Sequence, residues 1–268
     1  MDAAANQVRT LTWLRRNIPS EARLTLTDLS SAYGVLSLMG PKTRDILAEL
    51  TPEALSKEAF PFLTMKEIEV GYGLALAFRV TYVGELGWEL HVPVEFMGPL
   101  FDQIEQAGSK HGLKLAGYHA LDSLRSEKGY RHWGHDISPA ETPYEAGLGF
   151  AVTLDKRGGF IGRDALAAQK GRVPGKRLVH VLMRHPEPFL HHDEPIYRDG
   201  ILVGRITSAS EGYLLGAAVG MGYVSHPEGV SADYISSGAY EVEIACERYP
   251  ADLSLRPFYD PASARVRL

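Results

Sequence analysis

A basic surplus, paired cysteines, long apolar runs and nucleotide-binding glycine fingerprints are all missing from this chain. Its 28 Lys+Arg stand against 33 Asp+Glu in 268 residues, a formal net charge of −5. A dedicated nucleic-acid binder needs the opposite balance, because phosphate contacts are made by cations. Cys246 is the only cysteine, so no disulfide forms within the chain and a reducing, cytosolic compartment is expected. Met1 to Asn6 lack the basic-then-apolar run of a secretory signal, and no stretch has the length of a membrane span, so a soluble cytoplasmic protein is expected. Gly71-Tyr72-Gly73 and Gly220-Met221-Gly222 lack the third glycine of a dinucleotide fingerprint, and no phosphate-cradling Gly-Lys-Ser/Thr loop occurs. The chain by itself is therefore expected to bind no flavin or nucleotide. Gly-x-Ser-x-Gly is absent, and Cys246 falls in an alternating stretch where core packing explains it, which argues against a nucleophilic hydrolase. The pairs His132/His135 and His191/His192 fit no metal motif, so no metal is expected, and a metal-dependent hydrolase is a distant third reading.

What is present is a globular composition, 45% hydrophobic and 23% charged, enough for a packed core. Val8, Leu11, Leu14 and Ile18 recur at helical spacing, so Asp2 to Asn17 predicts an amphipathic helix. Arg23 to Asp28 alternates as a half-buried strand, Tyr33 to Met39 is a short apolar run, and Pro41 to Leu50 predicts a helix. Leu74 to Tyr82 places Leu74, Leu76, Phe78, Val80 and Tyr82 on one face of a strand. After a Gly84-to-Gly87 turn, Trp88 to Val92 returns with Trp88, Leu90 and Val92 opposite Glu89 and His91, so a hairpin with one greasy side is expected. Val94 to Lys110 and Tyr118 to Lys128 predict helices, the second closed by Gly129. Beyond Gly171 strands dominate: Arg177 to Met183, Tyr197-Arg198, Ile201 to Arg205 after Asp199-Gly200, and Tyr240 to Cys246. They predict a small β-barrel or sandwich. The Gly171-Arg172-Val173-Pro174-Gly175 stretch is the expected boundary, giving residues 1–170 and 171–268 as domains.

Periodicity leaves the hairpin carboxylates Glu85 and Glu89 open to two readings, as solvated charges on a non-core face or as a functional pair. Resemblance shifts the balance. Met39-Gly40-Pro41-Lys42-Thr43-Arg44, Thr81 to Leu90 (TYVGELGWEL), Ala120 to Arg131 (ALDSLRSEKGYR), Thr142 to Gly149 (TPYEAGLG), Phe160-Ile161-Gly162-Arg163, Gly204 to Ser208 and Met221 to Val224 occur in this order. Together they resemble the tetrahydrofolate-dependent aminomethyltransferases, the glycine-cleavage T-protein family, above all the version fused to sarcosine and dimethylglycine dehydrogenases.

The resemblance implies an α+β folate-binding fold with a C-terminal β-barrel. It implies that Glu89, the second glutamate of the Tyr-x-Gly-Glu-x-Gly-x-Glu motif, grips the pterin, whose ring N–H and neighbouring amine match the two oxygens of a carboxylate. Tyr82 and Glu85 of the same motif are implied pocket-shaping residues, and Tyr259 of Pro257-Phe258-Tyr259 an implied folate contact. Leu121 stands where glycine-cleavage enzymes carry arginine, and Glu127 to Gly134 resembles the dehydrogenase-linked branch. There, an imine or formaldehyde from a flavin domain or subunit is captured as methylene-tetrahydrofolate. Gly159 replaces the cysteine of a branch linked to iron–sulfur cluster assembly. The family's long N-terminal segment, with an aspartate that assists proton transfer, has no match, so an N-terminally incomplete fold is expected whose acid–base residue is absent. It is expected to bind folate better than it turns over, and to self-associate or take a partner through uncovered apolar surface beside the Leu74 strand. The alternative is a catalytically silent folate-fold module.

Overall fold

The computed structural model describes residues 6–268, so the expected helix start at Asp2 to Ala5 lies outside the described residues. The chain divides into two compact units. The first comprises the described residues up to Thr81, Glu85–Lys114 and Val266–Leu268, and the second Tyr82–Gly84 and Leu115–Arg265.

The first unit contains helix α1 (Gln7–Asn17), strand β1 (Tyr33–Met39), the short helix α2 (Thr43–Leu47), strands β2 (Met65–Val70), β3 (Gly73–Phe78) and β4 (Gly87–Pro93), and helix α3 (Met97–Ser109). The strands form one antiparallel sheet in the order β1-β4-β3-β2. α1 forms as expected, yet none of its residues is buried, and Val8 is exposed rather than packed. Arg23 to Asp28, expected as a strand, joins no sheet among the described residues, because alternation supplies a face but not a pairing partner. The helix expected over Pro41 to Leu50 is only the five residues of α2, and β2 carries no signal that the sequence reading used.

The hairpin exists, but its greasy side is the reverse of the expected one. β3 stops at Phe78, and an irregular connection through Leu86 replaces its last four expected residues. Ala75 and Ala77 face the core with Trp88, Leu90 and Val92, while Leu74, Leu76 and Phe78 point to the other face with Glu89 and His91. Small alanines suit the core side because its volume is taken by Trp88, Phe60, Leu47, Leu100 and Ile104. Arg79 continues the core-side phase and is buried. Its guanidinium lies 5.4 Å from the Trp88 ring and donates to the Phe60 and Leu268 main-chain oxygens.

The second unit begins, after Tyr82–Gly84, with helix α4 (Tyr118–Lys128), followed by helix α5 (Arg163–Gln169) and strands β5 (Lys176–Met183), β6 (Pro195–Arg198), β7 (Ile201–Gly212) and β8 (Ala217–Ser225). Helix α6 (Ala232–Ser236) and strands β9 (Tyr240–Ile244) and β10 (Glu247–Ser254) complete it. The six strands close into a barrel in the order β10-β5-β8-β7-β6-β9 around Val179, Val181, Met183, Ile196, Ile206 and Val242. The expected barrel is present, with β8 and β10 added. Cys246 is corrected: β9 ends at Ile244, and Cys246 is exposed in the turn to β10 with φ 68°. No helix among the described residues is long and apolar enough to cross a membrane.

α4 lies against β7 and β8 through polar groups. The Ser123 hydroxyl donates to the Glu211 carbonyl at 2.6 Å, and Glu127 accepts from the Leu214 and Leu215 amides at 2.7 and 3.2 Å. Gly129 ends the helix with φ 70° as expected, and it lies against His180 of β5, whose imidazole atoms would be about 2.1 Å from any added Cβ. His180 is buried, neither ring nitrogen has a partner among the described residues, and burial with the nearby Arg131 charge pushes its pKa down to about 3.

Two predictions follow from these cores. Leu90→Ala should cost about 2–5 kcal/mol of stability, whereas Leu74→Ala, on the half-exposed face, should cost less than about 1 kcal/mol; urea denaturation distinguishes them. His180 binds its proton more weakly folded than unfolded, so stability should fall as pH drops below the free-imidazole range near 6.5 and keep falling toward about 3. A His180→Leu variant should lose that part of the acid sensitivity, seen as a smaller change in denaturation midpoint between about pH 7 and about pH 4.

Candidate functional site

The motif that carries the resemblance runs from the β3–β4 connection into β4 and is divided between the units. Glu85 and Glu89 belong to the first, and Tyr82 to Gly84 to the second.

In the first unit, the strand register builds the open sheet face row by row. Met65, Phe78, Glu89 and Ser37 stand abreast across β2, β3, β4 and β1, and Glu67, Leu76, His91 and Val35 form the next row. Alternation along β4 forces this arrangement: Trp88, Leu90 and Val92 are inserted in the core, so Glu89 and His91 must project on the opposite side. The Glu89 side chain is 22% exposed and accepts no hydrogen bond from the described residues. Burial pushes its carboxyl above the usual range and lowers the pKa of His91. His91 Nε2 lies 4.0 Å from Glu89 Oε2, and the His91 ring leans on Phe78 with centroids 4.8 Å apart. Glu85 is half-buried in the connection.

In the second unit, Tyr82 stacks on Tyr130 with centroids 6.0 Å apart and planes 11° off parallel, and its hydroxyl donates to the Arg131 carbonyl at 3.0 Å. Burial raises the pKa of both tyrosines, with the Asp260 charge adding to the effect on Tyr130. Gly84 has φ 77°, and a Cβ there would lie 2.8–2.9 Å from Lys128 side-chain carbons. The buried Lys128 ammonium donates to the Asp260 carboxylate at 3.0 Å and to its carbonyl at 2.5 Å. Asp260 also accepts from the Ala264 and Arg265 amides, and next to it Tyr259 is half-buried, with the Arg265 guanidinium 5.6 Å from its ring. Tyr82 and Tyr259 therefore share the second unit, while Glu89 shares its sheet face with His91.

Sequence reasoning missed three groups. His91 was visible as the residue two places after Glu89 on its face, but no motif marks it. Asp136, 1% exposed, accepts from Arg125 at 2.7 Å, the His132 amide at 2.9 Å and the Thr207 hydroxyl at 2.6 Å, and its carbonyl accepts from the Tyr223 hydroxyl. Nothing local in the sequence announces that junction. His180 looked like one more alternating strand residue. The His132 and His135 rings lie 4.5 Å apart, and no group of three metal-binding side chains occurs among the described residues. A shallow cleft of about 510 Å³ lined by Gly158–Ala165 contains none of the expected site residues.

The first unit thus carries Glu89 on the open face of its antiparallel sheet, and the second closes a six-stranded barrel, an architecture that matches the aminomethyltransferase fold. The aminomethyltransferase T of the Bartonella henselae glycine cleavage system has the same fold, with TM-score 0.71 and 24% identity over 85% of this chain and 60% of that one. Residues 1–156 match the GCVT N-terminal domain and residues 176–260 the glycine cleavage T-protein C-terminal barrel domain, so the chain belongs to the glycine cleavage T-protein family. It is 43% identical to the formaldehyde-forming 4-methylaminobutanoate oxidase of Paenarthrobacter nicotinovorans over 97% of this chain and 31% of that protein. It is 40% identical to mouse mitochondrial sarcosine dehydrogenase over 92% of this chain and 27% of that one. The chain thus spans less than a third of the length of these relatives.

Gly84→Ala should destabilise the chain by at least about 1 kcal/mol, because it places an L side chain in the left-handed region and drives it into Lys128. Thermal unfolding of the variant checks this, and an unchanged midpoint would show that the turn tolerates a Cβ.

Proposed function

We propose that the chain is a tetrahydrofolate-binding one-carbon transfer domain of the sarcosine/dimethylglycine dehydrogenase type. It would capture an imine or formaldehyde unit as methylene-tetrahydrofolate. The observation that carries this reading is the Glu89 carboxylate, held by β4 on the open sheet face, largely shielded from water and without a hydrogen-bond donor among the described residues. A carboxylate largely withdrawn from water, with no donor among the described residues, gains when a ligand brings donors to it. A pterin edge fits, because its adjacent ring N–H and amine match both carboxylate oxygens, and Phe78 beside Glu89 offers an apolar ring edge.

Bound there, tetrahydrofolate supplies the nucleophilic nitrogen that accepts the one-carbon unit. Glu89 would contribute orientation: its two oxygens can accept two charge-assisted hydrogen bonds from the ring, and such donors would favour the ionised carboxylate against the upward push of burial. Among the roles implied by the motif, Tyr82 has its hydroxyl proton committed to the Arg131 carbonyl, which leaves its ring and the lone pairs of the phenol oxygen to shape a surface. Glu85 and Tyr259 keep the pocket and folate-contact roles that the motif resemblance implies. The formaldehyde-forming oxidase among the relatives supports formaldehyde as the one-carbon source, and the dehydrogenase among them supports a dehydrogenase domain or subunit as partner, which the motif resemblance implies to carry flavin. The family matches at 1–156 and 176–260 flank the Gly171–Gly175 stretch, which supports division into residues 1–170 and 171–268.

Glu89→Gln removes the charge-assisted acceptor and should weaken reduced-folate binding by a factor of about 10 to 150, equivalent to roughly 1.5–3 kcal/mol. Isothermal calorimetry giving equal affinities for the two proteins would remove Glu89 as the anchor.

A further inference from the structure

His91 Nε2 is buried and has no hydrogen-bond partner among the described residues. The imidazole is held against Phe78, with ring centroids 4.8 Å apart and planes at 57°, and Nε2 faces Glu89 Oε2 across 4.0 Å. That gap is too long for a hydrogen bond, whose N···O distance is about 2.9–3.0 Å, so the two groups are neighbours that are not yet bonded. A donor cut off from water gains more from an ionised acceptor than an exposed one does. We propose that His91 is the positioning residue of Glu89, its Nε2–H bracing one carboxylate oxygen so that the carboxylate plane is fixed for the incoming ligand. The proposal rests on the reading of Glu89 as the folate anchor and adds what holds that anchor ionised and oriented.

The surroundings single out His91 for this task. On β1, Ser37 stands opposite Glu89 and Val35 opposite His91, and both are exposed. Beyond them Tyr33 is opposite Pro93 and brings a phenol, not a charge. On β3, Phe78 and Leu76 are the neighbours. On β2 the same face carries Glu67 and Glu69, opposite Leu76 and Leu74, both exposed and acidic. No lysine or arginine occupies these positions. Burial lowers the pKa of His91, which favours the neutral ring, and a neutral imidazole still has one N–H to donate. Donation to the charged form lowers a carboxyl pKa. Bracing by His91 therefore opposes the upward push of burial on Glu89 and extends folate binding to lower pH.

The test compares His91→Met and His91→Gln, matched in length and differing in the amide donor, by calorimetric titration with 5-formyltetrahydrofolate across a pH series. His91→Met should bind about tenfold more weakly at neutral pH, and the acid limb of its binding profile should move to higher pH. His91→Gln should recover most of the affinity and return the limb toward its original place. His91→Met with wild-type affinity and an unmoved acid limb would overturn the proposal, as would equal weakening of both variants with no shift, which is the signature of packing. Glu89→Gln in parallel separates the two levels. If it binds as well as wild type, the anchor reading fails; if it weakens while His91→Met is unaffected, the anchor stands and the bracing role falls.

Discussion

A β-strand can hide only every second residue, and in β4 that constraint builds core and site in one step. Trp88, Leu90 and Val92 are fully inserted in the first unit's core, which leaves Glu89 and His91 no choice of face. A one-residue slip would put two ionisable groups into the core and three large apolar groups outside, so the register is strongly determined. The carboxylate is thus carried on a rigid strand whose other side is among the best-packed parts of the unit, and rigidity of this kind limits the ordering cost that binding must overcome.

The second unit handles polar groups in two opposite ways. Around Asp136 every strong demand is met: the Arg125 guanidinium, the His132 amide and the Thr207 hydroxyl converge on one carboxylate, and the register shift in β7 at Thr207 directs that hydroxyl toward it. Removing one member would leave a buried charge uncompensated, which is far costlier than the pair is worth in net stability. Elsewhere in the same unit, neither nitrogen of His180 has a partner among the described residues, and the ring remains neutral. The difference is topological. Asp136 lies where a helix, a loop and two barrel strands meet, whereas His180 is covered by Gly129, whose lack of a side chain lets the helix end approach the ring.

Glu89 differs from the well-bonded carboxylates of the chain, and that difference supports its proposed role as the folate anchor. Structural carboxylates here are saturated: Asp136, Glu127 and Asp260 each accept from two or more donors. Glu89 accepts from none of the described residues, although the same chain supplies donors freely elsewhere. A partly shielded carboxylate without a donor among the described residues gains hydrogen bonds when a ligand supplies them.

The chain's own sequence determined the barrel class through its alternating strands and turns, the closure of α4 by Gly129, and the side on which Glu89 stands, because each depends on neighbours within a few residues. The ordered motifs also carried the family. It could not determine which face of β3 is inside, since Leu74, Leu76 and Phe78 look like a core stripe until Trp88 and the flanking helix residues are seen to fill the volume opposite Ala75 and Ala77. Nor could it find a partner for Arg23 to Asp28, the exposure of Cys246, or the pairing of Arg125 with Asp136. Those features depend on which residues distant in the chain compete for the same space and the same hydrogen bonds, and that competition is resolved only when the chain is folded.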